Sequence, residues 1–486
     1  MYRHVLCVFP YRRTRSSRTA FPPLGLEYIA AALRPYAERM DLVNFRHERT
    51  PSTQPFLRPD TDLVCYSINW RTDLELIRDD INALPPGVLT ILGGRVATEN
   101  PRYWLEACPN VDAVVCGDGE RAIVEIAEGR AWSSVAGLQY HGNDGRLLHN
   151  PPRDNEPLDD NLMPARDLRR RPYYLTSKGV NTGITIDKVA GSRGCPFNCK
   201  FCSFAVNPWG VKRCWTPRSV ESIVSEIEQI DAELIFFVDD VFTHQPDRVA
   251  ELCDLLIAKG IRKHYIVNAR LEIAKRPDII RKMEQAGFLA MLIGVESTQD
   301  ATLKSMGKGF NTELVRQRFE VLRKSKMIIN AYFIVGNIGE TEEQMLSTAT
   351  FARSIGADLI HVSRLRHEPH SGLGELIERT PGYHIDADGF VYSDEYSSQH
   401  IANLRKRIDL RFHSPLHVAG VVFKLLRVLH WRVLARAALT IPVFLTLLIA
   451  SQADRKVRKW MRSPSMPDAT VMTNLQAIRG RGTTMT

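Results

Sequence analysis

Three cysteines stand within eight residues in Gly194-Cys195-Pro196-Phe197-Asn198-Cys199-Lys200-Phe201-Cys202-Ser203, spaced Cys-x3-Cys-x2-Cys. Three thiolates this close cannot all pair as disulfides, and one loop can wrap them round one face of a cubic iron–sulfur cluster. Such clusters usually take four cysteine thiolates. With three, one iron keeps an open site for a chelating ligand, the requirement for binding S-adenosylmethionine (SAM) through its amino and carboxylate groups. A structural zinc loop is the competing reading, but no fourth ligand follows at zinc-finger spacing. Cys214 lies twelve residues on and alone.

The rest of the composition is that of ordinary globular protein: 486 residues, 44% hydrophobic and 24% charged. That length predicts two or three domains, each with its own core. Nine cysteines, an odd number with three in one loop, argue against a disulfide framework and for a reducing cytoplasm. The formal charge of +9 leaves nucleic acid and anionic lipid as candidates, to be decided by where the basic residues lie. No secretory signal is expected, because the first apolar run, Val5 to Phe9, is short and lacks a cleavage site.

Elements that must position a cofactor begin at the N-terminus. Strand-like runs at His4–Phe9, Met40–Phe45, Asp62–Ser67, Val88–Leu92 and Ala113–Cys116 alternate with helical patterns. Those patterns lie at Leu24–Ala37, Leu74–Leu84, Tyr103–Cys108 and Ala122–Glu128. The alternation predicts an α/β, doubly wound, Rossmann-like sheet of parallel strands over residues 1–150. Ligands of such sheets sit at the carboxyl ends of the strands. Those ends are an arginine-rich loop (Tyr11 to Ala20), Ser67-Ile-Asn-Trp, Gly93-Gly94-Arg95 and Gly117-Asp-Gly-Glu120. Glycine lets a backbone approach a bulky ligand, although a Gly pair is more often a simple turn. Residues 151–183 read as a linker, and its basic run, Arg166 to Arg171, reads as solvent-facing.

Alternation resumes over 184–380. Strands are predicted at Ile184–Ala190, Leu234–Val238, Tyr265–Ala269, Ala290–Val295, Ile329–Val335 and Leu359–Ser363, with helices between them. Six β/α units are too few for a closed eight-stranded barrel and predict an open, partial one, with chemistry at the carboxyl ends of its strands. Asp239 and Asp240, Arg270, Glu296 and Ser297, and Gly336 to Gly339 stand at those ends.

Both halves resemble one family. Pro23-Leu-Gly-Leu-Glu-Tyr-Ile-Ala30, Ile91-Leu-Gly-Gly94 and Val111-Asp-Ala-Val-Val-Cys-Gly-Asp-Gly-Glu120 resemble the cobalamin-binding domain of B12-dependent radical-SAM enzymes. The resemblance implies cobalamin contacts at Ser67, Gly93, Gly94, Gly117 and Glu120. The motif Asp-x-His-x-x-Gly, whose histidine ligates cobalt in many such domains, is missing: none of His4, His47, His141 and His149 fits it. Cobalamin binding without a histidine ligand is therefore expected. The second half is similar to the radical-SAM barrel. Val238-Asp-Asp-Val-Phe242, Ala269-Arg270-Leu-Glu272, Ile293-Gly-Val-Glu-Ser297 and Phe333-Ile-Val-Gly-Asn-Ile-Gly-Glu340 match its strand-end motifs in order. This resemblance implies a [4Fe-4S] cluster on Cys195, Cys199 and Cys202, and SAM contacts at Phe201, Asp239, Arg270, Glu296 and Gly336. After the sixth strand the family's frequent Pro-Gly-Thr turn is replaced by Glu368-Pro-His-Ser-Gly-Leu-Gly374.

The resemblance covers residues 1 to about 380. Residues 381–486 read as a mostly helical region whose tail is polar and disordered. Ala437 to Ala453 is apolar and uncharged, somewhat short for a membrane span, and flanked on both sides by arginine and lysine. That pattern predicts peripheral contact of 418–453 with the inner membrane face rather than a crossing.

The family implies a cobalamin-dependent methyltransferase acting on an unactivated carbon of an apolar or natural-product substrate. A 5′-deoxyadenosyl radical would abstract hydrogen and methylcobalamin would deliver methyl. The alternative is oxidative cyclisation without methyl transfer, as in anaerobic magnesium-protoporphyrin ester cyclases; a non-catalytic iron–sulfur sensor would leave the SAM motifs without a role. The expected partners are a small, lipid-like molecule and reduced flavodoxin or ferredoxin as electron donor, with no nucleic acid.

Overall fold

A computed structural model of the chain describes residues 1–12, 20–154, 156–177, 180–203, 206, 212–368 and 371–429. Most of the arginine-rich loop and the apolar run Ala437 to Ala453 lie outside the described residues.

The first sheet contains β1 (Tyr2–Phe9), β2 (Ala37–Asn44), β3 (Thr61–Ser67), β4 (Leu89–Gly93), β5 (Ala113–Val115), β6 (Leu138–His141) and β7 (Leu147–His149). Their order is β2-β1-β3-β4-β5-β6-β7, parallel through β5, with β6 and β7 added as an antiparallel hairpin. The helices are α1 (Leu24–Leu33), α2 (Leu74–Asn82), α3 (Arg95–Glu99), α4 (Pro101–Ala107) and α5 (Glu120–Ala127). Val5 to Phe9 is a continuous buried run, as a central parallel strand covered on both faces requires. Strand order reverses between β1 and β3, so their carboxyl ends diverge and leave a crevice there.

The second sheet begins at β8 (Tyr174–Ser177) and β9 (Val180–Val189). The chain then makes a short ladder, β10 (Ser192–Arg193) with β11 (Thr216–Pro217), that brackets the cysteine loop. Then follow α6 (Val220–Glu228), β12 (Leu234–Phe237), α7 (Pro246–Ala258), β13 (His264–Ala269), α8 (Pro277–Gln285) and β14 (Phe288–Glu296). The unit continues through α9 (Asp300–Ser305), α10 (Thr312–Leu322), β15 (Ile328–Val335), α11 (Glu342–Ser354) and β16 (Leu359–Arg364). Six strands, β9 and β12 to β16, are parallel, and β8 joins β9 antiparallel at one edge. Alternation at period two sorts their side chains. Val189, Phe237, Val267, Ile293, Phe333 and Val362 pack outward into the helix layer. Ile186, Leu234, Ala290 and Ile328 face the lumen of the partial barrel.

After β16 come α12 (Leu373–Glu378), the hairpin β17 (Tyr383–Ile385) and β18 (Val391–Ser393), then α13 (Ser398–Phe412) and α14 (Pro415–Val428). Helix α13 buries Ile401, Leu404, Ile408 and Phe412 in the helix layer. Helix α14 closes the amino end of the lumen: Val421 packs on Ala290 and Ile328, while His417 and Lys424 bind the Asp358 carbonyl and carboxylate at 2.8 and 2.6 Å.

The expectation for Arg166 to Arg171 is overturned for two of its residues. Arg169 grips Glu27 of α1 and Asp187 of β9, and Arg166 joins Asp187 at 3.1 Å and Glu226 of α6 at 2.5 Å. Glu27, Asp187 and Glu226 are buried acids on three different elements, so the arginines between them are drawn inward as counter-charges. The run reads as a solvent loop because its partners are remote in sequence.

Candidate functional site

Both sheets turn the carboxyl ends of their strands towards each other, and a cavity of about 620 Å³ lies between. That is the size range of small-molecule and cofactor sites. The first sheet contributes Phe9, Ser67, Gly93, Gly94 and Gly117; the second contributes Lys188, Ser192, Val238 and Asp240. Among the described residues that line it none is a histidine.

Four of the five residues expected to touch cobalamin reach this cavity. Ser67 accepts from Asn69 Nδ2 at 2.9 Å at the end of β3. Gly94, at φ +95°, carries no Cβ because its own chain fills that place: a Cβ would stand 2.7 Å from the Ile68 carbonyl oxygen. Gly117, at φ +93°, is the opposite case, with open space where its Cβ would point. Glu120 does not line the cavity; it is held in a close ion pair by Arg193, beside the cysteine loop.

The three loop cysteines are half-buried, whereas Cys7, Cys65, Cys108, Cys116 and Cys253 are buried in the cores and Cys214 is exposed. The loop is fixed at several points. Lys200 N–H donates to the Met306 carbonyl at 3.0 Å, and Cys202 N–H donates to the Cys199 carbonyl at 3.1 Å. Among the described residues no three His, Cys, Asp or Glu converge as ligands of one metal ion. A cubic cluster spreads its thiolates wider than a single ion does, and three accessible thiols in one loop suit it in donor chemistry.

Arg270, Glu296 and Phe201 are brought together around this loop by Lys308. Arg270 lies 3.6 Å over the Phe197 ring, donates to Cys199 Sγ at 3.8 Å and to the Lys308 carbonyl at 3.2 Å. Glu272 holds the same guanidinium at 3.2 Å on both arms. Lys308 Nζ in turn binds Glu296 at 3.1 Å and faces the Phe201 ring at 5.9 Å. Glu296 adopts φ +73°, a conformation that costs roughly 1–3 kcal/mol and that this ion pair helps to hold.

Asp239 and Gly336 are occupied differently. Asp239 is buried and accepts from Gly191 N–H at 2.8 Å and Ser192 Oγ at 2.5 Å, so it shapes the entry to the cysteine loop. Its neighbour Asp240 faces the cavity and accepts no hydrogen bond among the described residues; burial raises its carboxyl to about 7 against the pull of Arg213 and Arg95. Gly336 presses on Ile401 of α13, and the Glu340 carboxylate accepts from its N–H at 2.9 Å.

Sequence reasoning passed over Lys308 and Lys188, and reached Arg95 only as a member of the strand-end loop Gly93-Gly94-Arg95. Arg95 spans the seam, donating to Ser203 Oγ at 2.6 Å next to Cys202 and pairing with Glu368 after β16. No local pattern marks Lys308. Lys188 had a signal: it occupies a lumen-facing position in an alternating strand otherwise apolar on that side.

Residues 189–352 match the Radical SAM superfamily, and residues 13–127 match the B12 binding domain. An uncharacterized methyltransferase of Pyrococcus horikoshii is 25% identical over 432 residues, covering 84% of this chain and 92% of that protein. The anaerobic magnesium-protoporphyrin IX monomethyl ester cyclase of Rubrivivax gelatinosus is 26% identical over 63% of this chain and 56% of its own length. In fold, the radical S-adenosylmethionine methyltransferase TsrM of Kitasatospora setae superposes with a TM-score of 0.68 at 18% identity, over 84% of this chain and 89% of that one. With its cysteine loop, its parallel sheets facing one cavity and these matches, the chain belongs to the cobalamin-dependent radical-SAM enzymes, which use a [4Fe-4S] cluster, SAM and cobalamin.

Proposed function

We propose that this enzyme transfers a methyl group to an unactivated carbon of a small molecule. The observation that carries the reading is the cavity between the two sheets, which the residues expected to border cobalamin share with Gly194 and Ser203 on either side of the three cysteines. When bound, the cluster and SAM supply a radical that breaks a strong C–H bond, and cobalamin supplies the methyl group.

The chain's own residues bind and orient. Cys195, Cys199 and Cys202 hold the cluster. Arg270 offers a planar guanidinium suited to the SAM carboxylate, and Glu296 offers a carboxylate to its polar end. Phe201 and the Gly336 turn border the same ligand, and Asp239 keeps the loop entry in register. Ser67, Gly93, Gly94 and Gly117 form the wall against cobalamin, and Glu120 acts on that wall by holding Arg193. The apolar plug of the lower lumen, completed by α14, excludes water from the site. The corresponding division of the chain is 1–150 for cobalamin, 151–183 as connection, 184–380 for the barrel and 381–486 as the C-terminal region.

The match to a cyclase supports a second reading, oxidative ring closure in the same cavity without methyl transfer. Anaerobic reconstitution with SAM, a reductant and methylcobalamin separates the two. Methyl transfer adds the mass of one methylene unit to the product and forms S-adenosylhomocysteine with 5′-deoxyadenosine. Ring closure removes hydrogen and forms 5′-deoxyadenosine alone. Absence of any SAM cleavage by iron-replete protein overturns both.

The electron donor proposed is reduced flavodoxin or ferredoxin, and the compartment is the cytoplasm. No helix among the described residues is long and apolar enough to cross a membrane. Peripheral contact is supported by α14, whose barrel-facing Val421 is buried while Leu416, Phe423 and Leu426 on the other side stand 88%, 56% and 52% exposed. Arg427 lies over Phe423 at 4.2 Å, so a cation accompanies the apolar ridge, as an anionic bilayer surface favours.

A further inference from the structure

Lys188 is a half-buried cation that forms no ion pair of its own among the described residues. It lies on β9 level with Phe236 of β12, on the side facing the lumen, and lines the cavity. Its ammonium contacts the Phe21 ring at 5.0 Å and donates to no oxygen among the described residues. The acids that act on it, Glu27 and Asp187, are both committed to Arg169, Glu27 at 2.7 Å on each oxygen. Arg46, stacked on Trp70 at 4.6 Å, adds a further positive charge. Desolvation presses the amine of this half-buried residue down to about 8. Buried charges in proteins are paired, and removal of the partner is costly. A lysine left in this position is therefore open to an anion from outside the chain.

We propose that Lys188 is the anion receptor of the cavity, taking a carboxylate or phosphate of the ligand bound there. Aromatic rings line the same cavity, with Phe21 against the ammonium and the paired rings of Phe9 and Trp70 contributed by the first sheet. The anion is accordingly attached to an apolar or flat body that these rings can cover. This deepens the methyl-transfer reading, on which it rests, by making the substrate an acid rather than a neutral lipid. The same chemistry is carried by the nucleotide phosphate of cobalamin, so the test must separate the two sources.

Competitive acetylation of the cluster-reconstituted protein, read by mass spectrometry, reports Lys188 alone, with exposed Lys326 as internal standard. On cobalamin-loaded protein, millimolar benzoate or inorganic phosphate should slow acetylation of Lys188 by about tenfold and leave Lys326 unchanged, as a charge-assisted contact requires. That result assigns the anion to the substrate. Slowing by cobalamin but not by cobinamide, which lacks the nucleotide phosphate, assigns it to the cofactor. In either case Lys188→Met should lose affinity for the same anion by calorimetry, while Lys188→Arg retains it. If neither benzoate nor phosphate slows the reaction and cobalamin protects no better than cobinamide, the proposal is wrong. SAM cleavage by the wild-type protein is measured separately, so failure here is distinct from failure of the enzyme assignment.

Discussion

Arg169 and Glu27 meet across the seam between the two sheets as a two-armed ion pair, 2.7 Å at each carboxylate oxygen, with Glu27 wholly buried. The pair ties α1, which borders the cavity, to the connection that enters the barrel, and Asp187 on β9 completes it. The seam is thus electrostatic in its middle and polar at its rim, where Arg213 holds Asp118 at 2.6 Å.

Deleting Arg169 strands Glu27 without water, whereas deleting Glu27 leaves Arg169 its second partner, Asp187. Arg169→Ala should cost roughly 3–5 kcal/mol, Glu27→Ala less, and the double variant less than the sum. Urea melts of the three proteins give the coupling, and strict additivity would show that the pair is not a unit.

The cluster depends on one loop. Alanine at Cys195, Cys199 or Cys202 should reduce iron content sharply and bring 5′-deoxyadenosine formation to background. Alanine at Cys214, exposed and outside the loop, should leave both unchanged. A Cys199→Ala protein that cleaves SAM normally contradicts the assignment.

Asp240 gives a pH signature in stability. Its carboxyl is raised from the ordinary 3.8 to about 7 by burial, so across that window the folded chain binds more proton than the unfolded chain. Stability contributed by the neutral acid is full below the lower value and is lost progressively as pH rises to about 7. Asp240→Asn avoids the loss. Its melting temperature should match wild type near pH 4, exceed it increasingly towards pH 7 and stay ahead by a constant margin above. A variant less stable than wild type at pH 8 would show the ionised carboxylate to be favourably paired.

The two cavity glycines separate folding from cofactor space. Gly94→Ala drives a Cβ into the Ile68 backbone and the Asn69 side-chain oxygen and should lower the melting temperature more than Gly117→Ala, which costs roughly 1–3 kcal/mol for its positive φ alone. Gly117→Leu should fold comparably to Gly117→Ala yet bind cobalamin more weakly, because its side chain enters open space. Bound cobalamin should show no histidine nitrogen coupling to cobalt in electron paramagnetic resonance; such coupling would place a ligand where the described lining has none.

Helix α14 predicts a split between its two sides. Replacing Leu416, Phe423 and Leu426 by Gln should reduce sedimentation with anionic vesicles at low salt and barely change thermal stability, since all three are exposed. Val421→Gln, on the barrel side, should lower stability instead. If wild-type protein stays in the supernatant at low salt, the membrane contact is refuted.

The sequence alone determined the local chemistry and the order of the elements. Cysteine spacing is a covalent property of one loop, and the strands and helices of both sheets are legible because each repeats its apolar residues at a period set by backbone geometry. The predicted strand Ile329–Val335 lies wholly within β15, and Ile184–Ala190 covers the second half of β9, which begins four residues earlier at Val180. Tertiary structure decided which polar residues are functional surface and which are framework. Of adjacent Asp239 and Asp240, one is consumed by Gly191 and Ser192 and the other faces the cavity, a choice made by side-chain direction after β12. Arg166 and Arg169, indistinguishable in sequence from a solvated basic run, became buried counter-charges because acids from α1, β9 and α6 converge on them. Lys188 has no ion-pair partner among the described residues for the complementary reason: its neighbouring acids are held by Arg169. Such assignments depend on contacts between residues tens to more than a hundred positions apart, and electrostatic burial is settled only when those contacts form.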